Sequence, residues 1–246
     1  MKFLKAILIG LWRIWFYLLI TVTIIVLFPL LLLFTSREKY YPKFFYLARI
    51  WAKTVLFGMG FYPVLKKIEK PIQGKSYMFV ANHTSMTDIM LMLYCIKNPF
   101  VFVGKRELAR FPIFGFFYKR TCILVDRSNV KSRNAVFEQA QRRLSQGISI
   151  CIFPEGGVPD DLSIVLDNFK DGAFRLAIDH KIPIVPLVFY DNKKRFSYTF
   201  LKASPGKMRA KILNFIPTED YKPTEKRILS DKVRSLIFDE LIKDKK

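Results

Sequence analysis

Tyr77-Met78-Phe79-Val80-Ala81-Asn82-His83-Thr84-Ser85-Met86-Thr87-Asp88 is the stretch on which the reading of this chain turns. A short apolar run of strand character leads into one of only two histidines in the protein, and a carboxylate stands five residues further on. At about 100° per residue, positions five apart on a straight helix lie roughly 140° out of line, so one helical face cannot present both. If the strand ends near Ala81 and a helix begins after His83, with Thr84 or Ser85 as its cap, the imidazole stands before the helix and Asp88 looks back from the first turns. The carboxylate then holds Nδ1–H and leaves Nε2 to take a proton. A lone His-x4-Asp pair arises easily by chance, and the rest of the chain has to add to it.

Outward from this corner, apolar runs alternate with helical patterns. Candidate strands are 77–81, 100–103, 122–125, 148–153, 184–190 and 208–215. Between them Val136, Phe137, Ala140 and Leu144 form one helical stripe, opposed by Lys131, Arg133, Arg142 and Arg143 and stopped by Gly147. A second stripe, Phe169, Ala173, Leu176 and Ala177, opens at Asp167 or Asn168, and a last helix over 231–242 carries Val233, Leu236, Ile237 and Leu241. This alternation predicts an α/β domain with a central, largely parallel sheet flanked by helices.

The 246 residues suit one sizeable domain over 61–246 with an N-terminal appendage over 1–60. With 41 Lys+Arg against 20 Asp+Glu the net charge is +21, which points to anionic partners: lipid surfaces, nucleic acid, phosphorylated or coenzyme-type substrates. A mean hydropathy of +0.18 beside that charge requires segregation. It is found at the N-terminus, where 14–36 is a run of 23 residues without a charge, flanked by Lys2, Lys5 and Arg13 before and by Arg37, Lys39 and Lys43 after. As a helix this run is roughly 34 Å long, enough for a hydrocarbon core, and it predicts a membrane-embedded segment, either spanning or, because Pro29 can kink it, re-entrant in one leaflet. The following 41–57 reads as an amphipathic helix on the bilayer or as a packing helix between anchor and domain, and Gly58, Gly60 and Pro63 as a turn into the globular part. Cys95, Cys122 and Cys151 have no zinc or redox spacing and read as reduced residues of a cytoplasm-facing protein. Neither Gly58-x-Gly60 nor Gly74-Lys75-Ser76 completes a nucleotide-binding motif.

Three more stretches fall at predicted strand ends, where open α/β sheets place ligands. Ile123-Leu124-Val125-Asp126-Arg127 presents a guanidinium suited to a phosphomonoester, or merely an arginine paired with Asp126. Ile152-Phe153-Pro154-Glu155-Gly156-Gly157 ends a strand at a proline, presents an acid from the turn and offers glycines for close backbone approach. Ile182-Pro183-Ile184-Val185-Pro186 reads as a strand entry or a rigid pocket wall.

In this order the blocks resemble the glycerolipid acyltransferase family that includes the lysophosphatidate acyltransferases. Asn82-His83-x4-Asp88 is similar to its Asn-His-x4-Asp signature, Val125-Asp126-Arg127 and Phe153-Pro154-Glu155-Gly156 to the cores of its next two blocks, and Ile182–Pro186 to its fourth. Lys105, in Gly104-Lys105-Arg106-Glu107-Leu108, stands where the family carries Lys-x-Glu-Leu. Two departures are plain: Gly157-Val158 replaces the family's Thr-Arg, and Thr121 replaces a leading glycine of the second block. The resemblance implies acyl transfer from a thioester, acyl-coenzyme A or acyl carrier protein, to the hydroxyl of a membrane lysolipid such as lysophosphatidate. His83 is then the base and Asp88 its partner, and Arg127, Glu155, Gly156 and Lys105 bind substrate, with Lys170 a further cation in reach. It implies no metal, no cofactor and no nucleic-acid partner, and a catalytic domain facing the cytoplasm from a bacterial-type inner membrane with an anionic surface. The rival readings are another lysolipid acceptor, a serine hydrolase using Ser85, for which no Gly-x-Ser-x-Gly elbow exists, and a non-enzymatic membrane-tethered binder of anionic lipid or nucleic acid.

Overall fold

The structure, a computed structural model, describes residues 2–110, 114–125, 130–159, 161 and 163–244. In chain order its elements are α1 (Lys2–Thr35), α2 (Tyr41–Gly58), β1 (Phe61–Lys67), β2 (Met78–Ala81), α3 (Thr87–Cys95), β3 (Phe100–Lys105), α4 (Phe114–Thr121) and β4 (Ile123–Val125). There follow α5 (Val130–Ser145), β5 (Ser149–Ile152), α6 (Gly172–Asp179), β6 (Ile184–Phe189), α7 (Asn192–Arg195), β7 (Gly206–Ile212) and α8 (Lys226–Lys243). They form two compact units, one of residues 1–66, 83–97 and 189–211, the other of 67–82, 98–188 and 212–246.

The second unit carries a parallel sheet in the order β6-β2-β5-β3-β4. Phe79 of β2 lies opposite Cys151 on one side and Val185 on the other, and all four residues of β2 are buried. That is why this strand reads as a continuous apolar run rather than as an alternation: a central parallel strand is covered on both faces. α5 packs on β4 and β5, and α6 packs on β2 and α8. The α/β class read from the chain is the one observed. α6 begins at Gly172, later than its apolar stripe suggests, because the preceding backbone is engaged elsewhere: Asp167 N–H donates to Glu155 Oε2 at 2.9 Å and Lys170 N–H to the Pro154 carbonyl at 2.9 Å.

The first unit is built on α1. This helix runs from Lys2 to Thr35, through the charged positions read as its leading flank but not those after it, since an arginine does not end a helix when its head group has partners. Arg13 supplies the case: its Nε donates to the Phe200 carbonyl at 2.9 Å, and its Nη2 to those of Ser197 at 2.5 Å and Thr199 at 3.1 Å. One turn on, Phe16 is fully buried, with its ring 4.3 Å from that of Phe196. Trp12 packs on the same Phe196 and, edge-on, on Phe61. Most of the remaining apolar side chains of the helix point outward, Ile9 and Leu31 excepted, and Phe3–Thr35 is long and apolar enough to cross a membrane.

α2 lies against α1 and α3. Trp15 Nε1 donates to the Gly58 carbonyl at 2.9 Å, Lys43 Nζ stands 6.0 Å from the Phe34 ring, and Arg49 Nε donates to the Leu93 carbonyl at 3.0 Å. Tyr41, Phe45, Ala48, Ala52 and Val55 are buried, so α2 is a packing helix on one face, while Tyr46 and Phe57 stay exposed on another. Gly60 makes the expected turn at φ +72°, but Pro63, read as part of that turn, lies in a strand, β1. β1 is an edge strand beside β7, the one place where the missing N–H of Pro63 costs no ladder bond.

Replacing Phe16 by Ala empties a fully enclosed aromatic site and should cost about 3 kcal/mol or more. Thermal unfolding in detergent should show a lowered transition, and limited proteolysis should cut faster within 196–204, the segment that Phe16 and Arg13 hold.

Candidate active site

The corner begins where β2 ends at Ala81, and α3 starts six residues later at Thr87. The five residues between cannot use helical backbone bonds, so their N–H groups need other acceptors. Asp88 accepts from two of them. Its Oδ2 accepts the backbone N–H of Thr84 at 2.6 Å and of Ser85 at 2.8 Å, and receives His83 Nδ1 at 2.8 Å. The helix starts later than expected and its cap is Met86 rather than Thr84 or Ser85; Ser85, one residue before the cap, accepts the Thr87 N–H at 3.2 Å, and its hydroxyl donates to the Phe196 carbonyl at 2.8 Å.

Asp88 is wholly buried, whereas the His83 side chain keeps 19% of its exposure. With Nδ1 against a carboxylate, the ring proton sits on Nδ1 and Nε2 is the basic nitrogen. The histidine is thus oriented from behind by a group that cannot reach solvent, and it meets solvent itself.

Two residues here carried no sequence signal. Asn192, at the start of α7, is fully buried and donates its side-chain Nδ2 to Asp88 Oδ1 at 2.5 Å, across 104 positions of sequence. Tyr198 lies in the field of the same carboxylate: burial pushes its phenol up, and the charges of Asp88 and of Tyr17 push in the same direction. An Asx residue directly after a buried strand is the one hint available for Asn192, and it is shared by many ordinary turns.

Lys105, Glu155 and Gly156 belong to the second unit. Glu155 is 5% exposed and spends Oε2 on the Asp167 N–H, so it closes the turn from within. Gly156 adopts φ +84°, a conformation that favours glycine, and its N–H donates to the Phe153 carbonyl at 3.0 Å. Lys105 is exposed, and its ammonium reaches this turn: a Cβ added at Gly157 would lie 3.7 Å from Nζ. A cation is therefore presented beside the glycines that follow Glu155. Arg127 lies outside the described residues. Among the described residues no group of three or more His, Cys, Asp or Glu is placed to hold a metal.

A family model described as Acyltransferase matches residues 64–190, more than half of the chain, and the chain belongs to that family. It is 32% identical over 169 residues to the 1-acyl-sn-glycerol-3-phosphate acyltransferase alpha of Ovis aries, covering 65% of this chain and 56% of that one. To a probable 1-acyl-sn-glycerol-3-phosphate acyltransferase of Mycoplasma pneumoniae it is 30% identical over 146 residues, 55% of this chain and 54% of the other. The chain thus spans about half the length of these relatives. The crystal structure of the 1-acyl-sn-glycerophosphate (LPA) acyltransferase PlsC from Thermotoga maritima shares the fold, with a TM-score of 0.78 at 21% identity over 100% of this chain and 98% of that one.

The segment that carries Asn192 is fastened by an ion pair with its own pH signature. Asp191 accepts the Arg209 N–H, Nε and Nη2 at 2.8 Å each. Burial alone would raise the Asp191 carboxyl, but the hydrogen bonds and charge of Arg209, with the charge of Arg195, outweigh it and hold it below the ordinary value. A carboxyl with a lowered folded pKa contributes stability above its unfolded value, near 3.8, and loses it as the pH falls through the folded one. Asp191→Asn should therefore cost about 2 kcal/mol at pH 7, some 4–8 °C in melting temperature. The gap between the two melting curves should narrow below about pH 4 and close in stronger acid.

Proposed function

We propose that this protein is a membrane-bound acyltransferase moving a fatty acyl chain from an acyl thioester to the free hydroxyl of 1-acylglycerol-3-phosphate, giving phosphatidate in phospholipid biosynthesis. The observation that carries the reading is the oriented His83–Asp88 pair, with Asp88 buried and the imidazole open to solvent.

In this reaction His83 Nε2 takes the proton of the acceptor hydroxyl as its oxygen attacks the thioester carbonyl. The new C–O bond forms, the C–S bond breaks, and the leaving thiolate recovers the proton from the imidazolium. Asp88 fixes the tautomer beforehand and stabilises the imidazolium in between. General-base assistance of this kind is worth about 10² to 10⁴ in rate, and holding both substrates in line contributes further. No step needs a covalent enzyme intermediate or a cofactor. Resemblance to the family assigns acceptor binding to Lys105, Arg127, Glu155 and Gly156. Similarity to 1-acyl-sn-glycerol-3-phosphate acyltransferases supports lysophosphatidate as the acceptor, and acyl-coenzyme A or acyl carrier protein serves as donor.

Membrane attachment rests on α1, whose outward apolar side chains and neighbouring Lys39 and Lys43 suit a bilayer with anionic headgroups. The catalytic residues face the cytoplasm of a bacterial-type inner membrane in this reading. Gly157-Val158 favours a second one, in which the same machinery acylates a different lysolipid, since the chain lacks the threonine and arginine common after Pro-Glu-Gly in the family.

The test is transfer of labelled acyl groups from acyl-coenzyme A, or from acyl carrier protein, to a panel of lysolipids in detergent micelles. Wild type should acylate 1-acylglycerol-3-phosphate, and His83→Ala should lose about a hundredfold or more. Equal transfer by both would overturn the mechanism, and preference for another lysolipid would select the second reading. Lys105→Ala should raise the acceptor KM about tenfold and leave kcat within about threefold, the value of one charge-assisted contact to a phosphate.

A further inference from the structure

The carboxylate behind His83 is held from two sides, and only one of them is local. Thr84 N–H, Ser85 N–H and His83 Nδ1 all meet Oδ2. Oδ1 has a single partner among the described residues, Asn192 Nδ2 at 2.5 Å.

Several features show that this contact is built. Asn192 and Asp88 are both fully buried, so no solvent competes for either. The backbone under Asn192 is fixed: Asp191 before it is clasped by Arg209, and the N–H groups of Lys194 and Arg195 close a turn onto the Asp191 carbonyl at 2.9 Å each. Arg195 then ties the end of α7 to β7, donating Nε to the Lys207 carbonyl at 2.9 Å and Nη1 to Ser204 Oγ at 3.0 Å and the Pro205 carbonyl at 2.9 Å. The amide orientation has one chemically sensible solution, because the flipped form would set two acceptor oxygens against each other.

The contact also has a local cost. Asn192 Oδ1 is buried without a hydrogen-bond partner among the described residues, a deficit of about 1–3 kcal/mol. A residue serving only to fill that space would be better as leucine. A polar group kept at such a cost in the core marks a functional demand.

We infer that Asn192 is a positioning residue for the catalytic pair: its amide pins Asp88 Oδ1, which aims Oδ2 at His83 Nδ1 and draws off part of the carboxylate's charge. The inference rests on the proposed acyl transfer for its rate effects but not for its electrostatic one. Without the amide, Asp88 keeps more of its charge for the imidazolium and gains freedom to rotate. The groups that face this carboxylate are His83 and Asn192 by hydrogen bond, and Tyr198 through its charge.

Two variants test it, Asn192→Ala and the nearly isosteric Asn192→Asp, each compared with the full-length wild type in detergent. The ring resonances of the two histidines are followed against pH by NMR, with His180→Gln to assign them. The His83 ring should titrate at higher pH in Asn192→Ala than in wild type, and close to wild type in Asn192→Asp, where two buried carboxyls at hydrogen-bond distance share one proton and the new O–H still donates to Asp88 Oδ1. In the transfer assay Asn192→Ala should lose about tenfold in kcat with both KM values within about twofold. A His83 titration in Asn192→Ala that superimposes on wild type would overturn the inference, whatever the activity. If the wild type transfers no acyl group to any lysolipid, the proposed function fails while the titration still decides the role of Asn192.

Discussion

Everything at the candidate site depends on one buried carboxylate. Asp88 sits in the first turn of α3, where the backbone has N–H groups to satisfy and where the helix dipole favours negative charge. Putting a carboxylate there without solvent is costly unless its lone pairs are occupied, and four donors occupy them. The corner between β2 and α3 is thereby folded around the charge: Thr84 and Ser85 turn inward because Asp88 Oδ2 accepts from both. The same atom that shapes the loop also orients the imidazole, so local folding and placement of the histidine are one event.

The corner could be read from twelve consecutive residues because every interaction that defines it is local, save the contacts of Asp88 with Asn192 and of Ser85 with Phe196. The strands and the apolar helix stripes were legible for the related reason that burial imposes a period on the sequence. What escaped was decided across long sequence separations. Asn192 lies 104 residues from Asp88 in a four-residue helix rich in lysine and arginine, and nothing in Asn-Lys-Lys-Arg announces a buried amide. β1 was hidden by Pro63, whose objection to a strand disappears at an edge. The start of α6 moved because Glu155 and Pro154 compete for the N–H groups that a helix would have used.

The same distinction separates the two halves of α1. A window of hydropathy sees an uninterrupted apolar helix, and the exposed side chains from Leu18 onward agree with it. It cannot see that Trp12, Arg13 and Phe16 belong to the protein. Arg13 binds three carbonyls of the segment after α7, and Phe16 closes over Phe196, whose own carbonyl receives the Ser85 hydroxyl. The helix that suits a bilayer at one end therefore buttresses, at the other, the loop beside the corner of His83 and Asp88. An anchor with no structural duty would have needed neither the arginine nor the buried ring.

That arrangement bears on whether the His83–Asp88 pair is merely structural. A surface ion pair contributes about 0–1 kcal/mol, and a buried one can often be replaced by apolar residues at no loss. If stability were the only demand, an asparagine or a hydrophobic residue at position 88 would do as well, and the amide of Asn192 would not need to leave its own oxygen unpartnered in the core. What only a carboxylate provides is negative charge directed along the Nδ1 axis of a histidine whose ring still meets solvent. That asymmetry, one partner sealed and the other open, is the condition for moving a proton to and from something outside the protein. The buried polar groups around Asp88 make physical sense as the supports of that charge.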